Sequence, residues 1–348
     1  MIKIWLQKMK YIFLLIMFLL FVAPIVNYIS NTYHNIISGK TLYFREGRAE
    51  PIKWMISDFM NNYFSFITDF QRVDEGQRLE KVSFFLNQGK LNYLENVAPV
   101  DHRVWQSGYL KYESGEINPV RIRLRGENAR NWGFKKKSFK IKTKKKKLYN
   151  GFREIYYLNL SDKNSLKNYV PNLFAEEMGI LNSFSRLVEL YLNNEYLGVY
   201  SEVYSTDELF LRKNKIMPVA IFKFSIDIGW YFRSYSHAFF NPFLWDRQSK
   251  NNMDENDNRS RIKSFFSDLN QGKENLLDLI DIKEWATYSA YRLISGDYHS
   301  NGLNNLKWIE DNHKGKLSQI IWDPVIFFEK YDLSFFNKCE TELSCKLN

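Results

Sequence analysis

The hydrophobic pattern of the chain changes character along its length. It opens with an unbroken apolar stretch from Tyr11 to Val26, extendable past Asn27 to Ile29 and preceded by Lys3, Lys8 and Lys10. A helix of about 19 residues can cross a hydrocarbon core of roughly 30 Å. Apolar side chains surround Tyr11 to Phe21 on every side, which does not suit a helix packed on one face. Val22-Ala23-Pro24 and the residues after it lack a small-x-small cleavage pattern. The segment therefore reads as an uncleaved membrane anchor, with a secretory signal as the alternative. Cations ahead of the run place the N-terminus in the cytoplasm and the body of the protein outside.

From Thr41 to about Val100 the pattern is amphipathic and helix-prone, as in Trp54 to Phe66, so a helical lead-in is expected. Period-two alternation then takes over. Val120 to Gly126 (VRIRLRG) and Ser138 to Thr143 (SFKIKT) put apolar residues on one face and cations on the other, as half-buried strands do. Tyr156 to Leu160 is a further short strand. Leu166, Tyr169, Val170, Leu173, Phe174 and Met178 recur at helical spacing, with Gly179 as a stop. Leu187 to Leu192 and Tyr196 to Val203, joined by Asn193-Asn194-Glu195, predict a hairpin. Helical character resumes at Thr206 to Leu211, and Val219 to Phe224 is another strand. The polar stretch Asn251 to Ser260 reads as a loop. A strong helical pattern from Leu276 to Ile294 runs into Ser295-Gly296-Asp297, and the strand Lys316 to Ile321 delivers Trp322-Asp323.

These elements predict an α+β protein. Residues 1–30 are the anchor or signal, 31–100 the helical lead-in, 101–330 one domain with lobes of about 101–205 and 206–330, and 331–348 a C-terminal tail. No Pro-, Ser- or Gly-rich linker divides the interior, and no repeat of solenoid or propeller period is present.

Composition narrows the class. With 348 residues, 45% of them hydrophobic and 17% aromatic, the chain can close a substantial core and is not a disordered one. Lys and Arg number 49 against 39 Asp and Glu, a net charge of +10 that attracts anions. The densest cation run, Lys135 to Lys137 and then Lys144 to Lys147, flanks the SFKIKT strand. No recognition helix or stacking motif is visible, so nucleic acid is not the expected partner. Cys339 and Cys345 are too few for a disulfide framework.

Two carboxylates stand out. Asp297 lies in GDYHSNGLNN just after a long helix, and Asp323 in IIWDP just after an apolar strand, with the amides of Asn304 and Asn305 between them. Oxygen donors on loops that follow buried elements suit Mg²⁺ bound together with a nucleotide, because the hard ion keeps water and phosphate oxygens in its shell. The order helix, Asp, Asn, strand, Asp is that of protein kinases, although the spacing is longer and no DFG follows.

These motifs carry a resemblance. RLRG followed by KKSFKIKT, then NNEYLGVYSEVYSTDELFLRKN, IFKF, GDYHSNGLNNLKW and IIWDP together resemble the spore-coat CotH-like kinase family over roughly Val120 to Val325. The resemblance implies a two-lobed, atypical protein-kinase-like fold that binds ATP and Mg²⁺ and phosphorylates protein hydroxyls. It implies Asp297 as the catalytic-loop aspartate, Asn305 (with Asn304 as the alternative) as the metal-loop asparagine, and Asp323 as the aspartate joining Mg²⁺ to phosphate. Lys140 or Lys142 would grip the phosphates, with Glu176 or Glu177 as the partner of that lysine. Glu202 falls where a hinge would meet adenine, Lys223 lies on the next strand, and Arg125 is a further phosphate contact. The acceptor would be a protein or an envelope polymer beside a membrane. One departure stands out: many members carry a second acidic residue shortly after the WD aspartate, where this chain has Pro324-Val325-Ile326. That departure leaves open a pseudokinase that assembles or binds envelope or coat material without catalysis.

Overall fold

A computed structural model describes residues 2–38, 60, 79–98, 101, 103–126, 131–132, 136–160, 166, 168–217, 219–224, 245–248, 260–271, 278–297, 299–300, 305–311 and 314–325. The tail at 331–348, the stretch Trp54 to Phe66 apart from Met60, the 251–259 part of the polar loop and Asn304 lie outside them. The architecture is mixed α+β.

The N-terminal apolar run is helical: α1 (Ile2–Met17), a π-helical segment (Phe18–Val22) and α2 (Ala23–Ser38) follow without a break. Within it, Met9–Ser30 forms 22 residues of mean hydropathy 2.6, none of that surface buried. By length and composition it is able to cross a membrane, as a signal sequence also would be.

The chain divides into two compact units that interleave along the sequence. One comprises Met1–Lys144, Tyr156–Ser161 and Leu187–Tyr200, the other Lys145–Ile155, Asp162–Arg186 and Ser201–Asn348. Seven strands close a barrel in the order β1-β2-β3-β4-β5-β7-β6. They are β1 (Glu80–Phe85), β2 (Gln106–Tyr112), β3 (Ile117–Leu124), β4 (Phe139–Lys142), β5 (Glu154–Asn159), β6 (Ser185–Leu192) and β7 (Glu195–Tyr204). β1 runs antiparallel to β2 and parallel to β6, which closes the ring.

The alternation in β3 and β4 does what period two demands. Val120, Ile122, Leu124, Phe139 and Ile141 turn inward, while Arg121, Arg123, Lys140 and Lys142 turn outward. Phe84 fills the barrel interior, meeting Phe139 and Tyr157 edge-on at 5.6 and 4.9 Å between centroids. Gly126 ends β3 at φ 99°, where a Cβ would come within 2.4 Å of Asn131, so the last residue of RLRG has to be glycine.

The lead-in expectation needs correction. Residues 31–100 are not uniformly helical, because β1 lies among them, followed by α3 (Gln88–Val97) capped by Asn87. The run EKVSFF alternates with period two, and its burial comes from partners 24 to 30 and 108 residues away in sequence.

In the second unit, β8 (Ala220–Phe224), β9 (Trp245–Arg247), β10 (Lys307–Asp311) and β11 (Lys316–Ile320) form a sheet of order β11-β10-β8-β9. One face of it buries Phe222, Phe224, Trp245, Trp308 and Leu317 with Phe265. The helices described in this unit are α4 (Tyr169–Glu177), α5 (Glu208–Lys213), α6 (Ser260–Gln271) and α7 (Ile282–Ser295). Ala175 of α4 packs with Tyr288 and Tyr291 of α7 and with Ile321. That cluster fixes the helix that leads into Asp297 beside the segment that leads into Asp323.

Candidate functional site

α7 is built to stop where it does. Asp281 caps its start by accepting from the backbone N–H of Lys283 and Glu284, and Gly296 ends it in the left-handed conformation at φ 63°. The turn sends Asp297 back into the protein, where its exposure is 0%. Its Oδ1 accepts from the backbone N–H of His299, Ser300 and Val325, each at 3.1 Å. Its Oδ2 accepts from Tyr291 Oη at 3.2 Å and Ser300 Oγ at 2.5 Å. Five donors exhaust the lone pairs of a carboxylate.

The two tyrosines beside it stay protonated. Burial raises Tyr288 to about 12, and burial together with the Asp297 charge raises Tyr291 as well. Tyr291 is therefore a dependable donor to Asp297. Asp297, expected at an acceptor hydroxyl, is here an enclosed pin that ties the loop after α7 to the segment after β11.

Asp323 is the opposite case. Ile321 continues β11 by bridging to Asn182, and its backbone N–H donates to the Leu181 carbonyl. Two residues later the chain turns, with Asp323 at φ 52° and its side chain 25% exposed. A non-glycine residue in that conformation is uncommon and marks a position fixed by its neighbours. The fixing contacts are Asn168 Nδ2, which donates to Asp323 Oδ1 at 3.1 Å, and His299 Nδ1, 2.7 Å from the Asp323 carbonyl oxygen.

His299 Nδ1 also lies 3.0 Å from Asn305 Nδ2, a group that only donates. Asn305, 5% exposed, donates from Nδ2 to the His299 carbonyl at 3.0 Å. The His299 side chain is 43% exposed. Asp297, His299, Asn305 and Asp323 are thus one connected set of hydrogen bonds.

Among the described residues no group of three His, Cys, Asp or Glu could hold a metal. One carboxylate with an amide oxygen nearby still fits Mg²⁺, which commonly takes one or two protein oxygens and completes its shell with water and phosphate. A cage made of protein ligands alone is not offered.

The expected cations fall into separate groups. In the first unit, Lys140 Nζ and Arg125 Cζ lie 4.7 and 5.0 Å from the Tyr156 ring centroid, whereas Lys142 Nζ lies 6.0 Å from Trp105. In the second unit, Lys223 on β8 stands in register with Lys307 on β10 and Asp246 on β9. Lys307 was not singled out from sequence, yet it is 4% exposed and donates from Nζ to Thr206 Oγ1. Its Nζ also sits 3.6 Å above the Trp322 ring, next in the chain to Asp323. The available signal was a lone cation inside the apolar run Leu306 to Ile309. Glu176 and Glu177 are both exposed at the end of α4.

Glu202, expected where a hinge would meet adenine, is buried. It is 0% exposed, and its Oε1 accepts from Arg186 Nε at 2.7 Å and from the Tyr204 hydroxyl, while Oε2 is buried without a partner among the described residues. Burial first, and the Glu202 charge second, hold the Tyr204 hydroxyl in its protonated form. Glu202→Ala is expected to lower stability by about 2 kcal/mol, since it strands a guanidinium that is only partly exposed. An unchanged urea midpoint would contradict this.

A protein-family model described as CotH kinase protein matches residues 122–338. Inner spore coat protein H of Bacillus subtilis (strain 168) is 34% identical over 104 residues. That match covers 30% of this chain and 28% of the curated relative, under a third of its length.

Proposed function

This chain belongs to the CotH kinase protein family, and on that premise we propose that it is a membrane-tethered, two-lobed, kinase-like phosphotransferase. It uses ATP with Mg²⁺ to phosphorylate a Ser or Thr hydroxyl of a protein, or a hydroxyl of an envelope polymer. The apolar helix tethers it with the N-terminus in the cytoplasm and the domain outside. The relative's name, an inner spore coat protein, supports a place in the coat or envelope.

The observation that carries the reading is Asp323. It is a partly exposed carboxylate held in left-handed backbone by His299 and Asn168, at the end of a buried strand. Fixing a charged ligand in one geometry costs stability, and such strain accumulates at functional sites. In this reading Asp323 holds the metal, with the amide of Asn305 as the second candidate ligand. Bound Mg²⁺ neutralises charge on the phosphates during transfer.

The roles of the other residues follow from their surroundings. Asp297, the catalytic-loop aspartate in the family pattern, holds the loop that bears His299 and Asn305. Lys140 with Arg125 contacts phosphate, Lys140 being chosen over Lys142 because it shares Tyr156 with Arg125.

A second reading, a pseudokinase that assembles or binds envelope material, is favoured by two observations. Asp297 has no open lone pair. Pro324-Val325-Ile326 stands where many members of the family carry an acidic residue shortly after the WD aspartate, and the Val325 backbone N–H is spent on Asp297. Thermal unfolding of the full chain in detergent micelles, titrated with Mg-ATP, separates the two readings. Nucleotide at a hundred times its dissociation constant should stabilise by about 2.7 kcal/mol. No shift with ATP, with or without Mg²⁺, leaves the binding role.

A further inference from the structure

Lys307 is a charge at a place where packing asks for none. Its neighbours in the chain, Leu306, Trp308 and Ile309, are each no more than 2% exposed, and Lys307 itself is 4% exposed. An apolar side chain of similar length would fill that space without taking a cation out of water. The ammonium has definite partners. Nζ donates to the hydroxyl of Thr206, which is 2% exposed, and lies 3.6 Å from the centroid of the Trp322 ring. Indole holds a cation better than the other aromatic rings do, and the attraction grows when both groups are desolvated.

Trp322 is 7% exposed and immediately precedes Asp323, so a hold on its ring is a hold on the start of the left-handed turn at φ 52°. Asn168 and His299 meet the Asp323 carboxylate and carbonyl, while Lys307 meets the residue before them.

We propose that Lys307 is a positioning residue for Asp323, acting through Trp322 without touching metal or substrate. The proposal rests on the reading of Asp323 as the carboxylate that holds the metal. A metal ligand has to present its oxygen in one direction, and residues that orient ligands commonly set metal affinity by about 10- to 100-fold. A neutral side chain at this position would pack as well and leave the Trp322 ring without that electrostatic hold. Enclosure of the ammonium between Thr206 and Trp322 separates this role from that of a lysine that grips phosphate.

The test titrates the full chain in detergent micelles with Mn²⁺ alone, reading the free ion by electron paramagnetic resonance, beside urea unfolding of the same samples. Lys307→Met keeps the stem and removes the charge. It is expected to bind Mn²⁺ about tenfold more weakly. Its urea midpoint should equal or exceed that of the parent, because an apolar replacement for a buried ion is often neutral or stabilising. Lys307→Arg keeps a cation that can stack on the ring and should restore most of the affinity. A role in packing alone predicts the reverse, a lower midpoint with unchanged affinity.

Parent-like Mn²⁺ affinity in Lys307→Met overturns the proposal and leaves the metal reading standing, as does a loss that Lys307→Arg shares in full. Binding that is absent from the parent, or undiminished in Asp323→Asn, overturns the metal reading and this proposal with it. If Lys307→Met does not fold, Trp322→Phe carries the comparison, since a phenyl ring holds a cation more weakly. Reduced Mn²⁺ affinity in that variant is the expected result, and parent-like affinity overturns the proposal.

Discussion

Replacing Asp323 with alanine is expected to abolish phosphoryl transfer while changing stability by no more than about 1 kcal/mol. The argument rests on what the carboxylate touches. One side-chain hydrogen bond, from Asn168 at 3.1 Å, reaches a group that is 25% exposed, so little of the fold depends on it. Its charge, in contrast, is the chief anionic ligand available on this loop for a hard divalent ion. Asp323→Asn sharpens the test, because its amide oxygen can still accept from Asn168 while the charge is gone. Both variants should fail to label an envelope extract from radioactive ATP, with urea midpoints near that of the parent. Transfer at the parent rate in either one would remove Asp323 from the metal site and, with it, the main support for the kinase reading.

Asp297→Ala should behave in the opposite way, costing on the order of 3–5 kcal/mol, because deleting a buried charge from its hydrogen-bonding shell leaves several donors unpaired in a site closed to water. The donors are the backbone N–H groups of His299, Ser300 and Val325 and the hydroxyls of Tyr291 and Ser300. Any activity lost in this variant comes with a displaced loop, which equilibrium unfolding detects as a large shift in midpoint at unchanged m-value. A midpoint within about 0.5 kcal/mol of the parent would mean that Asp297 is not the pin described here. Comparing the two aspartates is informative because the family pattern treats both as functional, while Asp297 is enclosed and Asp323 is partly exposed.

Much of the local structure was legible in the chain. VRIRLRG and SFKIKT alternate, and they form β3 and β4 with the inward and outward sets that period two assigns. The hairpin turn at Asn193-Asn194 has both residues at positive φ, 52° and 70°, as a short tight turn requires. The run that ends at Gly296 forms a helix that stops there. Other elements were not read. β2 (QSGYLKY) and β10 (KWIED) each pair with the next strand through a short turn and, on the other edge, with β1 and β8, which are farther off in sequence.

Local periodicity, charge and glycine placement depend on neighbours a few residues away, and so the sequence by itself determined most strands and helices, the apolar N-terminal helix, the basic face and the family. Whether a polar side chain meets water, another charge or a ring depends on contacts across long stretches of chain. Only the tertiary structure decided that the strands close into a barrel, that Asp297 and Glu202 are enclosed while Asp323 is open, that Lys307 is buried against Trp322, and that three cations share Trp105. Burial and pairing set the free energy of a charge, and neither is a property of the residue alone.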